Sequence, residues 1–173
     1  MRRTSFENAK SSLARSLEIV GDWWTLLIVR DAFMGIRRFD DFQEHLGIAR
    51  NILAARIRRL MDFGILERKL YQVKPKRYEY VLTESGKDLK IILLAIKQWG
   101  DKNIYEGKGH PVSISHKDCG EEISVDIVCR LCMEVLSDDN ERLDWSPGDE
   151  MSDNDRRVYS RFNTNSTFEM NLG

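Results

Sequence analysis

Two groups of residues in this 173-residue chain have types and spacing that could do chemistry. The first is Asn51, Ala55, Arg58 and Arg59, with Arg56 on the flank, inside the stretch GIARNILAARIRRL, Gly47–Leu60. At about 100° per residue, Leu53, Ile57, Leu60 and Met61 fall on one side of a helix and the polar set on the other. That set holds no acid, whereas a solvated helix face ordinarily mixes signs and favours Glu–Lys pairs four residues apart. Arginine binds phosphate or guanine through two parallel hydrogen bonds, asparagine pairs with adenine, and alanine lets a backbone come close. Together these suit the major groove of duplex DNA, which admits one α-helix.

The second group is His116-x2-Cys119 and Cys129-x2-Cys132, with nine residues between the pairs. Two close ligand pairs joined by a short loop suit tetrahedral zinc, which takes thiolate and imidazole at about 2.0–2.3 Å. Gly120 after Cys119 resembles a zinc-knuckle turn, while the second pair, CRLCME, has no glycine there. Three readings stay open at this cluster: a closed, structural zinc; a redox-active trio of thiols; or three small hydrophobes packed in a β-rich appendage. All three cysteines lie here, an odd number that fits a reducing cytoplasm better than a disulfide framework.

The elements that must position these groups follow from periodicity. LARSLEIVGDWWTLLIVRDAF predicts two helices broken near Gly21–Asp22, the second strongly apolar, with Trp24 in the core and Trp23 turned away from it. GIRRFDDFQEHLG predicts a short helix with Phe39, Phe42 and Leu46 on one side, stopped at Gly47. Two readings stay open for Arg37 and Arg38 at its start, contact with backbone phosphate or a plain solvated pair. After the Arg50–Phe63 helix, Leu66–Tyr71 and Arg77–Leu82 predict a hairpin around Val73–Lys76. Thr83 is a helix N-cap, and the helix behind it carries IILLAI, Ile91–Ile96, and Trp99. That is more apolar surface than one stripe needs, so Ile92, Ile96 and Trp99 are expected at a subunit interface.

Charge sorts along the chain in the same way. Up to Gly109 there are 21 Lys and Arg against 14 Asp and Glu; from His110 onward, 6 against 14. Between Ile48 and Arg77 nine basic residues face two acidic ones, a surplus that belongs against phosphates. Arg50, Arg68, Lys69, Lys74, Lys76 and Arg77 carry it outside the Asn51–Arg59 face. No apolar run spans a membrane, no hydrophobic segment marks a signal peptide, and no phosphate loop, G-x-S-x-G or H-E-x-x-H signals an enzyme. A cytoplasmic, non-enzymatic protein is expected, with His45 and His110 as isolated surface histidines.

Short helix, glycine turn, basic helix, basic hairpin is the order of a winged helix-turn-helix, an α+β fold. The stretches SSLARSLEIVGDWWTLLIVRDAFMGIRRFDDFQ, GIARNILAARIRRLMDFGILER and KRYEYVLTESGKDL together resemble the HxlR-type winged-helix transcriptional regulators, from about Arg2 to Gly100 without a gap. The resemblance implies a homodimer on a pseudo-palindromic operator, with Arg50–Phe63 as the reader and Gln72–Lys76 as the wing. It further implies that the N- and C-terminal helices make the dimer contact. A small-molecule or redox effector is expected to shift the dimer between binding and non-binding spacings. Many such regulators carry a cysteine followed by proline before the first helix; here Ser11 and Ser12 stand at those places, and serine forms no thiolate. The expected organisation is a winged-helix and dimerisation domain over 1–109, a β-rich, zinc-ribbon-like appendage over 110–136 and an acidic, disordered tail over 137–173. The rival from another class is a zinc-stabilised module binding RNA or protein. Base stacking on RNA would favour exposed aromatics in the basic surface, and the aromatics of the motif are expected at core positions.

Overall fold

The computed structural model describes residues 5–105, 109, 112–137 and 156–157. They fall into two compact units, one within Ile19–Val125 and one within Met1–Glu18 and Asp126–Gly173. The helical order expected from periodicity holds: α1 Ser12–Val20, α2 Trp23–Phe33, α3 Phe39–Leu46 and α4 Arg50–Asp62. A two-stranded antiparallel hairpin follows, β1 Leu66–Gln72 and β2 Arg77–Leu82, and then α5 Glu84–Asp88 and α6 Lys90–Ile104. The acidic tail lies outside the described residues apart from 137 and 156–157, and His110 lies outside them altogether.

The α1–α2 break is chemical. Asp22 sits in extended backbone before Trp23 and its carboxylate accepts the Trp24 N–H at 3.1 Å, which caps α2 where the orphan amides begin. One residue of each helical turn then feeds a single core: Ile28 and Val29 from α2, Phe42 from α3, and Leu53, Ile57 and Leu60 from α4, closed by Ile65 and Leu66. Trp24 and Phe39 pack at its edge, while Trp23 is 77% exposed, as its position around the helix requires.

The hairpin is anchored at both ends. Leu66 pairs with Leu82 and Leu70 with Tyr78, and the ladder slips between Leu70 and Gln72 before the Val73–Lys76 tip. The free side of β2 is occupied by the approach to α3, where the Tyr80 N–H donates to the Arg37 carbonyl at 2.7 Å and Arg38 bridges Glu79. At the other end the Thr83 hydroxyl accepts the Gly86 N–H at 3.1 Å, and Gly86 is wedged against Ile65, just before β1. A Cβ at Gly86 would stand 2.2 Å from the Ile65 carbonyl oxygen, so only glycine allows this approach.

One continuous helix was expected behind Thr83; instead it is divided at Leu89, whose N–H returns to the Gly86 carbonyl. The turn lets α6 leave the hairpin and pack its Leu93 against the core. No residue of α6 is fully buried, and Ile91, Ile92, Ile96 and Trp99 are exposed. The Gln98 side chain takes both backbone groups of Val125, donating to its carbonyl at 3.0 Å and accepting its N–H at 2.7 Å. This ties the segment Val112–Val125 to α6. Short strands were expected around the cysteines; among the described residues they reduce to isolated bridges, Ser115 with Glu122 and Val128 with Val135.

Candidate nucleic-acid interface

α4 presents its two faces as its spacing dictates. Leu53, Ile57 and Leu60 are buried, and Asn51, Ala54, Ala55 and Arg58 are exposed on the opposite side. α3 ends at Gly47, whose left-handed backbone (φ 61°) turns the chain so that α4 starts three residues later. α4 packs on α2, α3 and β1, so its outer face is held by three elements.

The basic residues divide into those engaged within the fold and those left to solvent. Arg56 belongs to the first kind. Its Nε and Nη2 donate to the two Asp22 carboxylate oxygens at 2.9 and 2.7 Å, a fork-to-fork pair that joins α4 to the start of α2. Asp22 therefore caps one helix and clamps another. Arg50 at the head of α4 reaches Asp40 at 3.1 Å and Gln43 at 3.3 Å, and its guanidinium lies 4.7 Å over the Phe39 ring. Arg59 stacks on Phe63 at 5.3 Å, Arg38 on Tyr71 at 5.0 Å and Arg68 on Tyr78 at 4.1 Å.

Asn51, Arg58, Arg37, Lys74, Lys76 and Arg77 are exposed, and their side chains take no ion pair among the described residues. These six are the groups of the basic surface with open hydrogen-bonding capacity. The expectation that the motif's aromatics are all core is corrected in two places: Phe63 is 45% and Tyr71 39% exposed. Each has an arginine over one face, a cation–π contact that keeps the ring from standing open in water.

A buried carboxylate links α2 to α3. Asp31 on α2 is fully buried, with one oxygen taken by Arg30 Nε and Nη2 at 2.9 and 2.7 Å and the other 2.7 Å from His45 Nδ1 on α3. His45 is thus no isolated surface histidine. A buried carboxylate without partners would cost several kcal/mol, so α3 is held to α2 through this contact. The signal was present in the i, i+1 pair Arg30–Asp31, but the third partner is fourteen residues away in sequence.

The cysteines lie on two separate turns. His116 Nδ1 is 3.3 Å from Cys119 Sγ on the first. On the second, the backbone N–H groups of Cys132 and Leu131, with the Cys132 side chain, hold the Cys129 thiol below its ordinary value. Cys119 and Cys132 are exposed and Cys129 is half-buried. Among the described residues no three His, Cys, Asp or Glu side chains gather where they could hold a metal ion. Among them, too, no helix is long and apolar enough to cross a membrane.

Set beside known proteins, residues 19–108 match the HxlR-like helix-turn-helix family. MT3179 of Mycobacterium tuberculosis, an uncharacterised HTH-type transcriptional regulator, is 40% identical over 137 residues, 79% of this chain and 87% of the relative. The crystal structure of PA1607, a transcription-factor candidate, superposes with a TM-score of 0.73 at 35% identity, covering 83% of this chain and all of the other. The redox regulator HypR in its reduced form gives a TM-score of 0.51 at 30% identity, over 56% of this chain and 98% of its own. The fold is winged helix, and the chain belongs to the HxlR-like helix-turn-helix family of transcriptional regulators.

Proposed function

We propose that this regulator binds DNA sequence-specifically as a homodimer on a pseudo-palindromic operator. α4 enters the major groove with Asn51 and Arg58 at base edges and Ala55 in close approach. The wing, through Lys74, Lys76 and Arg77, contacts phosphate beside it, and Arg37 does so at the approach to α3. Arg50, Arg59 and Arg38 flank the groove contact while stacked on Phe39, Phe63 and Tyr71. Arg56 supports the reader from behind through Asp22. Two copies meet through the apolar face of α6, where Ile92, Ile96 and Trp99 become shielded from water.

The observation that carries this reading is the Asn51–Ala55–Arg58 face: exposed, with no acid and, among the described residues, no ion pair, on a helix fastened by Leu53, Ile57 and Leu60. Such a face costs the fold nothing to leave open and offers the donor set that base edges require. The test compares binding to a selected operator and to random duplex over a range of salt. The expected result is a large preference for operator and a steep salt slope shared by both. Equal affinity for operator and random duplex would refute sequence-specific reading.

A further inference from the structure

Asp22 and Asp40 each hold an arginine of α4, and the two pairs differ in what they can do for the fold. Arg56 and Asp22 are mostly covered, their side chains 28% and 21% exposed, and they meet through two parallel hydrogen bonds. Arg50 and Asp40 stand in solvent, 69% and 83% exposed, and meet through one, Nη1 to Oδ1 at 3.1 Å. Water and salt screen a pair of this kind, so it adds little to stability. Where it stands is more telling than what it adds.

Arg50 is the first residue of α4, one place before Asn51. Its guanidinium is set by three residues of α3. Asp40 and Gln43 both accept from Nη1, at 3.1 and 3.3 Å, and the Phe39 ring lies 4.7 Å from the guanidinium carbon. Among the described residues Nε and Nη2 donate to nothing, so one edge of the fork stays open to an anion.

Helix capping does not account for Asp40. An acid that served α4 would sit in that helix's own first turn or at its cap and meet the orphan amides. The first turn of α4 holds no acid and Ala49 gives no side-chain cap, while Asp40 meets a side chain instead. Nor does α3 depend on it for a favourable charge at its start, because Asp41 already places one there. What remains is the arginine itself, a cation at the head of the reading helix with a carboxylate beside it.

We propose that Asp40 competes with DNA phosphate for Arg50 and so holds down the affinity of the reader's head for duplex of any sequence. The proposal rests on α4 meeting the duplex as described above. In the free protein the carboxylate holds the arginine as a phosphate would. When the duplex arrives, a phosphate either displaces Asp40 from Nη1 or shares the guanidinium through the open Nε–Nη2 edge. In the first case Asp40 is left unpaired beside the polyanion and takes up a cation. In the second, two anions face each other across one guanidinium. Both weaken the contact, and both lower the number of cations released on binding. Asn51 and Arg58 escape this competition, since neither takes an ion pair among the described residues. The affinity that Asp40 withholds is therefore electrostatic and common to all sequences, which leaves choice of operator to the side chains that read bases.

The test measures binding of the full-length parent, Asp40→Asn, Arg50→Ala and the double variant to a selected operator and to random duplex over a range of salt. Asp40→Asn keeps the shape and an acceptor oxygen and removes the charge. It should tighten binding to both DNAs by about two- to fivefold at low salt, and steepen the salt slope by about one. Its unfolding midpoint should stay that of the parent. In the Arg50→Ala background the same substitution should lose most of its effect, which separates competition for the arginine from the long-range effect of one charge on the polyanion. Asn51→Ala, measured alongside, reports on the reading role of α4 by itself. Relaxed base preference there, with affinity and slope unchanged in Asp40→Asn, would overturn the competition and keep the reader. A gain that survives intact in the Arg50→Ala background would overturn it too. An Arg50-dependent gain in a parent that does not prefer operator would keep the competition and remove sequence-specific reading. Failure of every protein to bind either duplex would overturn both.

Discussion

Two arginines on α4, two positions apart, separate support from recognition. Arg56 commits its guanidinium to Asp22 inside the fold, and Arg58 leaves its own open to solvent. Replacing Arg56 by alanine strands a half-buried carboxylate that also caps α2, and the cost should be about 1–3 kcal/mol of folding stability. Arg58→Ala should leave the unfolding midpoint unchanged and remove about 1–3 kcal/mol of discrimination at one base pair. Thermal unfolding and operator affinity, measured on both variants, distinguish the roles. A destabilised Arg58→Ala with unaltered base preference would reverse them. This division could not be read from the sequence, where both arginines sit on the same one-signed face. Asp22 and Arg56 are 34 residues apart, and only the fold brings them together. The same holds for Asp31 and His45, which local spacing leaves unconnected.

At the scale of elements, apolar periodicity carried most of the information. It located α2, α3, α4 and both strands within a residue or two, because each contributes one face to a single core and that requirement is written into the spacing. What spacing does not record is where a helix must bend to satisfy its neighbours. The division at Leu89 stands three residues after the close approach of Gly86 to the Ile65 carbonyl, a non-local constraint. Gly86→Ala should force the two apart and cost about 1–3 kcal/mol, read as a lowered denaturation midpoint. An unchanged midpoint would mean that α5 shifts freely against β1. The hairpin tip has its own test. Lys74→Ala and Lys76→Ala should weaken binding to operator and random duplex alike, and lower the salt slope by about one for each phosphate left unneutralised. Altered base preference at constant slope would make the wing a reader instead.

For the whole molecule, specific binding depends on two readers held at a fixed distance. α6 shows Ile92, Ile96 and Trp99 to solvent, the last 61% exposed, although its inner side already serves the core. An acid there, as in Ile96→Glu, should yield a folded monomer by sedimentation. Its drop in operator affinity should far exceed the about 1–3 kcal/mol of one base contact, because both half-sites are no longer bound at once. A monomeric parent with full operator affinity would remove α6 from the assembly.

The most direct measurement is selection of bound sequences from random duplex DNA by the parent and by Asn51→Ala. The parent should enrich an inverted repeat whose half-site centres lie about one duplex turn, roughly 34 Å, or a multiple of it apart. Asn51→Ala should relax preference at the same position of both halves and leave the spacing unchanged. Enrichment of a single asymmetric motif, or of the identical repeat by both proteins, would contradict the assignment of α4 as the reading helix of a symmetric dimer.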